Sequence, residues 1–298
     1  MEIKDLIIGC ASGYTWDQVK YWVNSIKQSG FTGDVVLVGT DLKKETIDKL
    51  TENGVELALY GEMQENGDVE AHKTGVPHVE RFFYMWGALN QTKTDYRYII
   101  TTDTRDVVFQ NNPSHWLESY LTMHSMVCAS EGMRYKNEPW GNNNLYQAFG
   151  PYFHNMLKEE MIYNVGTIAG EAALMKSLFL LLFQLSINRP TPVVDQAVFN
   201  FLVSIYPFKN NTYFAGNSDS WAVQLGTTLE AVKAGAGDIG KEVAANPSKL
   251  IDYQMKYEDI QPIINLDHVK NKTGELYTIV HQWDRIPDLK TKIEEKYA

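Results

Sequence analysis

Apolar and polar positions along the first hundred residues follow a repeating order of strand and helix. Asp5 to Gly9 reads as a strand, and Cys10 to Tyr14 as the loop after it. Val19, Trp22, Val23 and Ile26 then recur three and four apart, the spacing of one helical face. Gly30 ends that helix, and Val35 to Val38 form an unbroken apolar run of the kind buried on both faces of a parallel sheet. A second helix, Lys43 to Asn53 and closed by Gly54, leads to a third strand at Val55 to Leu59. This order predicts a nucleotide-binding type of α/β half. Residues 60–76 are polar, contain glycine and show no period, which predicts a loop over the sheet's edge.

A helix from Pro77 to Gln91, with proline in its first turn, precedes a strand at Tyr96 to Ile100 that runs directly into Thr101-Thr102-Asp103-Thr104-Arg105-Asp106. Ligands of open parallel sheets lie beyond the carboxyl ends of the strands, so these acids are candidates by position alone. The second half is less regular. Met126 to Ala129 predicts a strand, Glu131 to Asn144 a polar aromatic loop, and Tyr163 to Ile168 a strand leading to a helix from Glu171 to Leu185. Arg189-Pro190-Thr191-Pro192 breaks the chain before a helix that starts near Asp195. Gly235 to Asn246 is rich in small residues and predicts a loop or short excursion. Leu276 to Val280 is a last strand ending in His281, and Asp288 to Tyr297 a charged terminal helix. No repeat and no linker divides the chain, which predicts one domain over residues 1–298.

Composition narrows the function. The 298 residues are 44% hydrophobic and 21% charged, which fits a globular chain. The 27 Lys+Arg against 37 Asp+Glu leave a net charge of −10, with no basic cluster to neutralise a phosphate backbone. A nucleic-acid partner is therefore not expected, while a local basic pocket for one diphosphate is compatible. The longest notable apolar run, Leu178 to Phe183, is far below the roughly 20 residues of a membrane span. Cys10 and Cys128 lie in apolar surroundings, which predicts two reduced thiols; with no leader or anchor recognised, the expected location is the cytoplasm. The sequons at Asn90, Asn210 and Asn271 then carry no meaning.

Two carboxylates at the end of a buried strand suit a hard divalent cation, which takes oxygen ligands and neutralises a diphosphate. From spacing alone, Asp106 could equally cap a turn while Asp103 pairs with Arg105. Four stretches in series resemble the GT-A fold nucleotide-sugar glycosyltransferases, nearest to the retaining family-8 (glycogenin-like) group. They are Ile99 to Phe109 with its Asp103 and Asp106, Tyr163-Asn164-Val165-Gly166-Thr167-Ile168, Val194-Asp195-Gln196-Ala197-Val198-Phe199-Asn200, and Ile279-Val280-His281-Gln282-Trp283-Asp284-Arg285. The family's acids are separated by one residue, whereas Thr104 and Arg105 both intervene here. Either a bulge brings Asp106 into reach or Arg105 takes the second acid's place.

The resemblance implies an α/β fold of the GT-A, Rossmann-like type, with a mostly parallel central sheet flanked by helices. Residues 1–110 would form its nucleotide-binding half and residues 111–298 its donor-sugar and acceptor half. It implies Asp103, Asp106 and His281 as ligands to Mn²⁺ or Mg²⁺, and neutral imidazole suits such an ion. Arg81 matches the basic residue that leans over the acids and the donor. Ala11, Ser12, Gly13 and Tyr14 would hold the nucleotide. Asn164, Gly166, Asp195 and Gln196 would face the donor sugar, and Arg285 could fork onto the diphosphate. Asp195 could also be a helix N-cap, and Trp140, Trp221 and Trp283 could stack on sugars or fill the core. The implied partners are a UDP-sugar and a carbohydrate acceptor, the latter shaped by the 60–76 loop and the 205–250 region. The rival expectation is a noncatalytic nucleotide-sugar or glycan binding protein on the same fold, which the altered acidic motif keeps open. A phosphatase of the haloacid-dehalogenase type, a nucleotidyltransferase and a zinc hydrolase each lack their motifs here.

Overall fold

The computed structural model describes residues 4–71 and 75–298. In chain order the first half reads β1 (Lys4–Ser12), α1 (Trp16–Gln28), β2 (Asp34–Thr40), α2 (Lys44–Glu52), β3 (Glu56–Leu59), β4 (Glu62–Met63), β5 (Val69–Glu70), α3 (Pro77–Gln91), β6 (Tyr96–Thr102), β7 (Val107–Phe109) and α4 (Pro113–Tyr120). The second half reads β8 (Met126–Arg134), α5 (Pro139–Leu157), β9 (Met161–Tyr163), β10 (Thr167–Glu171), α6 (Ala172–Ser186), α7 (Asp195–Val203), α8 (Phe208–Asn211), β11 (Thr212–Ala215), β12 (Ala222–Gln224), α9 (Leu229–Lys233), α10 (Gly237–Ala245), α11 (Lys249–Lys256), β13 (Ile263–Asn265), β14 (His268–Lys270), β15 (Ile279–His281) and α12 (Pro287–Lys296).

The main sheet has the order β3-β2-β1-β6-β10-β8-β11, with β9 added to β8. β1 runs parallel to both β2 and β6, β2 to β3 and β11 to β8, whereas β10 is antiparallel to both its neighbours. Period-two alternation sends Leu6, Ile8 and Ile99 to one face, where α3 and α6 cover them with Val79, Phe82, Met85, Leu178 and Phe179. Ile7, Leu37 and Ile100 go to the other face, under Val19, Trp22, Val23 and Ile26 of α1 and Leu117 of α4. Cover on both faces is why these strands read as continuous apolar runs. A second small sheet, β12-β15-β7, lies beyond the end of β6. Among the described residues no helix is long and apolar enough to cross a membrane.

Five expectations are corrected. β1 continues through Ser12, because Cys10, Ala11 and Ser12 pair with Val38, Gly39 and Thr40 of β2. β8 continues to Arg134, so Glu131 lies in a strand rather than a loop. After it, α5 begins at Pro139, where the Glu138 side chain accepts from Trp140 N and Gly141 N, a cap whose proline signal was present in the sequence. The expected strand from Tyr163 to Ile168 is interrupted by a turn at Asn164, Val165 and Gly166 between β9 and β10. Residues 237–245 form the helix α10, in which Gly240 packs directly on the Gly235 backbone; a β-carbon there would lie 2.4 Å from it. Small residues in that stretch mark close packing rather than a loop. The expected 60–76 loop contains the short β4-β5 hairpin, with Val69 buried, and its residues 72–74 fall outside the described residues.

Candidate functional site

The acidic loop is shaped from below. Thr104 is buried and its Oγ1 donates to the Cys10 carbonyl at 3.0 Å. Gly9 makes room for it, since a β-carbon there would meet the Thr104 methyl at 2.3 Å. Asp103 N donates to the Gly166 carbonyl at 3.0 Å, and Gln282 N to the Asp106 carbonyl at 2.7 Å. With Thr104 drawn inward, Arg105 turns outward, its guanidinium 3.8 Å from Asp106 and 4.0 Å from Asp284. The extra residue is therefore absorbed by the bend. Asp106, not Arg105, stands beside Asp103.

His281 completes the group by strand register. It pairs with Val107 in β7, the residue after Asp106, and with Gln224 in β12 on its other side. Its Nε2 lies 3.4 Å from Asp103 Oδ2 and 3.6 Å from Asp106 Oδ1. One ligand atom from each of the three residues falls within 4.8 Å of the others, a spacing and donor set that could hold a divalent cation. On the far side of the ring, Nδ1 is 2.6 Å from Gln224 Oε1, and Gln224 Nε2 donates to Thr167 Oγ1 at 2.7 Å. This chain leaves Nε2 facing the acids, a common arrangement behind metal-binding histidines. Burial works against an imidazolium here, yet Asp106 and Asp103 overcome it and raise His281 to about 10. Burial likewise opposes the charge on Asp103, but Arg81 and His281 hold its carboxyl well below the usual carboxylate range.

Arg81, on α3, bridges two acids of different elements. Its guanidinium hydrogen-bonds Asp103 and reaches Asp195 Oδ2 at 2.8 Å. Arg81 Nε is buried without a hydrogen-bond partner among the described residues, so one donor remains to be used. Asp195 is the first residue of α7 rather than its cap, and is buried. Asn164 donates to Glu131 Oε1 at 2.8 Å and accepts from Gly166 N at 2.7 Å. Gly166 must lack a side chain, because a β-carbon would lie 2.7 Å from Asp103 Oδ2 and 2.9 Å from His281 Cε1.

The sequence reading did not include Glu131. Burial pushes its carboxyl up to about 7 despite the Asn164 amide, and Gln196 hydrogen-bonds it as well. A reading that continued β8 to Arg134 would have shown it as an acid within a buried strand. Gln224 was also missed, since its role exists only through the pairing of β12 with β15.

Beside these groups lie two cavities. One, of about 840 Å³, opens at the ends of β1 and β2 and is lined by Ser12, Gly13, Thr40, Asp41 and Arg81. Gly13 takes a φ of +69° while its N donates to the Thr40 carbonyl at 3.0 Å. The other, of about 500 Å³, holds the acids with Tyr14, His78, Arg105, His281 and Arg285. Ala11 is the exception among the expected nucleotide-side residues, because its side chain is buried in the core layer under α1. Trp221 and Trp283 are core residues, whereas Trp140 is half exposed.

No family model matches the chain, and no curated protein does. Solved structures do. The apo structure of WbbM, a bifunctional glycosyltransferase, superposes with a TM-score of 0.56 at 12% identity, covering 100% of this chain and 50% of that one. The chain thus spans half the length of WbbM. The glycosyltransferase GlyE of Streptococcus pneumoniae TIGR4 gives 0.47 at 13% identity, over 99% of this chain and 64% of that one. The α/β architecture, with its mostly parallel sheet flanked by helices, is a fold that this chain shares with WbbM.

Proposed function

We propose that this chain is a metal-dependent glycosyltransferase that moves a sugar from a nucleoside-diphosphate sugar, a UDP-sugar, to a carbohydrate acceptor with retention of configuration. The observation that carries the reading is the meeting of Asp103, Asp106 and His281 at the carboxyl end of β6, in a cavity that shares Ser12 and Arg81 with the larger one of about 840 Å³ at the ends of β1 and β2. The superposition on WbbM supports the fold, and retention rests on the family-8 resemblance. The nucleotide-binding half would be residues 1–110, and the donor-sugar and acceptor half residues 111–298.

Asp103, Asp106 and His281 would hold Mn²⁺ or Mg²⁺, which when bound offsets charge on the departing diphosphate. Ser12, Gly13 and Tyr14 would contact the nucleotide. Arg105 and Arg285, which line the same cavity as the acids, would add positive charge at the phosphates. Arg81 holds Asp195 through a 2.8 Å hydrogen bond and has Nε left, which would donate to the donor sugar. Asp195, Gln196, Asn164 and Glu131 would accept from or donate to sugar hydroxyls and stabilise developing positive charge at the anomeric carbon.

UDP-sugar hydrolysis with and without Mn²⁺ tests the reading. Turnover that requires the metal and is lost in His281→Ala, with the fold intact, is the expected result. Binding without turnover across a panel of donors would favour the noncatalytic alternative, and an inverted product would remove the retaining assignment.

A further inference from the structure

A third cavity, of about 260 Å³, lies between the start of α5 and the α9–α11 helices. Its volume is below the roughly 300–1,000 Å³ of sites for drug-sized ligands and suits one monosaccharide unit. Trp140 forms one wall and is 48% exposed, although the other tryptophans of these stretches, Trp221 and Trp283, are buried. Two carboxylates accompany it. Glu138 faces the cavity while capping α5, and Asp238, in the first turn of α10, is exposed and paired with Lys241 at 3.0 Å. Tyr253 closes the floor, where its hydroxyl donates to the Thr227 carbonyl at 2.6 Å.

The cavity is tied to the proposed active site through single residues. Gly226, in its wall, donates from N to Gln282 Oε1 at 2.9 Å, and Gln282 lines the cavity of the acids. Thr227 Oγ1 donates to the Glu131 carbonyl at 2.7 Å, and the Glu131 side chain holds Asn164. Gly226 stands in contact with Gln282: a β-carbon on it would meet Oε1 at 2.3 Å.

The geometry points to this cavity as a subsite for a sugar unit of the acceptor, stacked on Trp140 with its hydroxyls donating to Glu138 and Asp238. A pyranose presents an apolar C–H face and a rim of hydroxyl donors. An indole face beside carboxyl acceptors matches both. The inference rests on the glycosyltransferase reading for its role, but the sugar-binding property can be tested apart from it.

Saturation-transfer NMR on the full chain, with methyl glycosides of glucose, galactose, mannose and N-acetylglucosamine and separately with UDP and Mn²⁺, is the test. At least one glycoside should receive saturation, strongest on its ring C–H protons. Trp140→Ala should weaken that binding about tenfold, Trp140→Phe should largely keep it, and Asp238→Asn should weaken it severalfold, with UDP binding unchanged in all three. The inference is overturned by silence across the whole glycoside panel, by equal binding in Trp140→Ala, or by parallel loss of UDP and glycoside binding in that variant. Glycoside binding at Trp140 together with absent UDP binding would leave the subsite standing and sink the donor reading instead.

Discussion

Gln224 Oε1 sits 2.6 Å from Nδ1 of His281, and the two residues are register partners in adjacent parallel strands. Their contact orients the imidazole so that Nε2 faces Asp103 and Asp106. Removing the amide should loosen the ring without touching a ligand atom. Gln224→Ala should therefore weaken Mn²⁺ binding by about 10- to 100-fold, the usual range for partners behind a metal ligand. Calorimetric titration of Mn²⁺ checks this, and unchanged affinity would remove Gln224 from the site.

Gly166 tests the packing of the same group. A methyl at this position would press on Asp103 Oδ2, Asn164 Oδ1 and His281 Cε1, all under 3.0 Å. Two of these belong to the proposed metal group and the third to the donor-sugar side. Gly166→Ala should lower metal affinity at least about tenfold, since displacements of this size matter to preorganised sites, while far-UV circular dichroism stays as in the parent. Retained affinity would show that the group tolerates the shift.

Much of the fold was legible because burial on both faces leaves a continuous apolar signature, as in Val35 to Val38, and because Gly30 and Pro77 punctuate the helices around it. The acids were legible for the same reason: they follow a strand whose end the pattern marks. What escaped is polar structure held by distant partners. Glu131 looked like a loop residue because its burial is supported by Asn164, 33 positions later, and Gln224 acquires its task from His281, 57 positions later. The one extra residue in the acidic motif could not be resolved from spacing either, since the answer lies in Thr104 reaching the Cys10 carbonyl through the gap left at Gly9.

Arg81 is the electrostatic link between α3, the acidic loop and α7. Asp195 is 3% exposed, and Arg81 is the guanidinium paired with it. Replacing Arg81 with Met would leave that carboxylate buried without its guanidinium partner, and Asp103 with His281 alone. Loss of one partner from a buried pair commonly costs about 3–5 kcal/mol, so Arg81→Met should unfold at markedly lower urea concentration. Adding Asp195→Asn should recover part of the loss; a double variant no more stable than the single one would show that the Arg81 effect is packing alone.

Glu131 provides a pH signature. Its carboxyl is raised from 4.5 to about 7 in the folded chain, chiefly by burial. Between these values the folded state holds a proton that the unfolded state has released, so the contribution of this group to stability is full below 4.5 and is lost as pH rises through 7. A shift of this size corresponds to roughly 3 kcal/mol. Glu131→Gln removes the titration and keeps the shape, with the amide oxygen able to accept from Asn164. In urea titrations without added metal, the variant should gain on the parent by up to that amount between pH 4.5 and pH 8, with the increase centred between 5 and 7. A stability difference that stays flat across this range would show that Glu131 is already ionised in the folded protein at neutral pH.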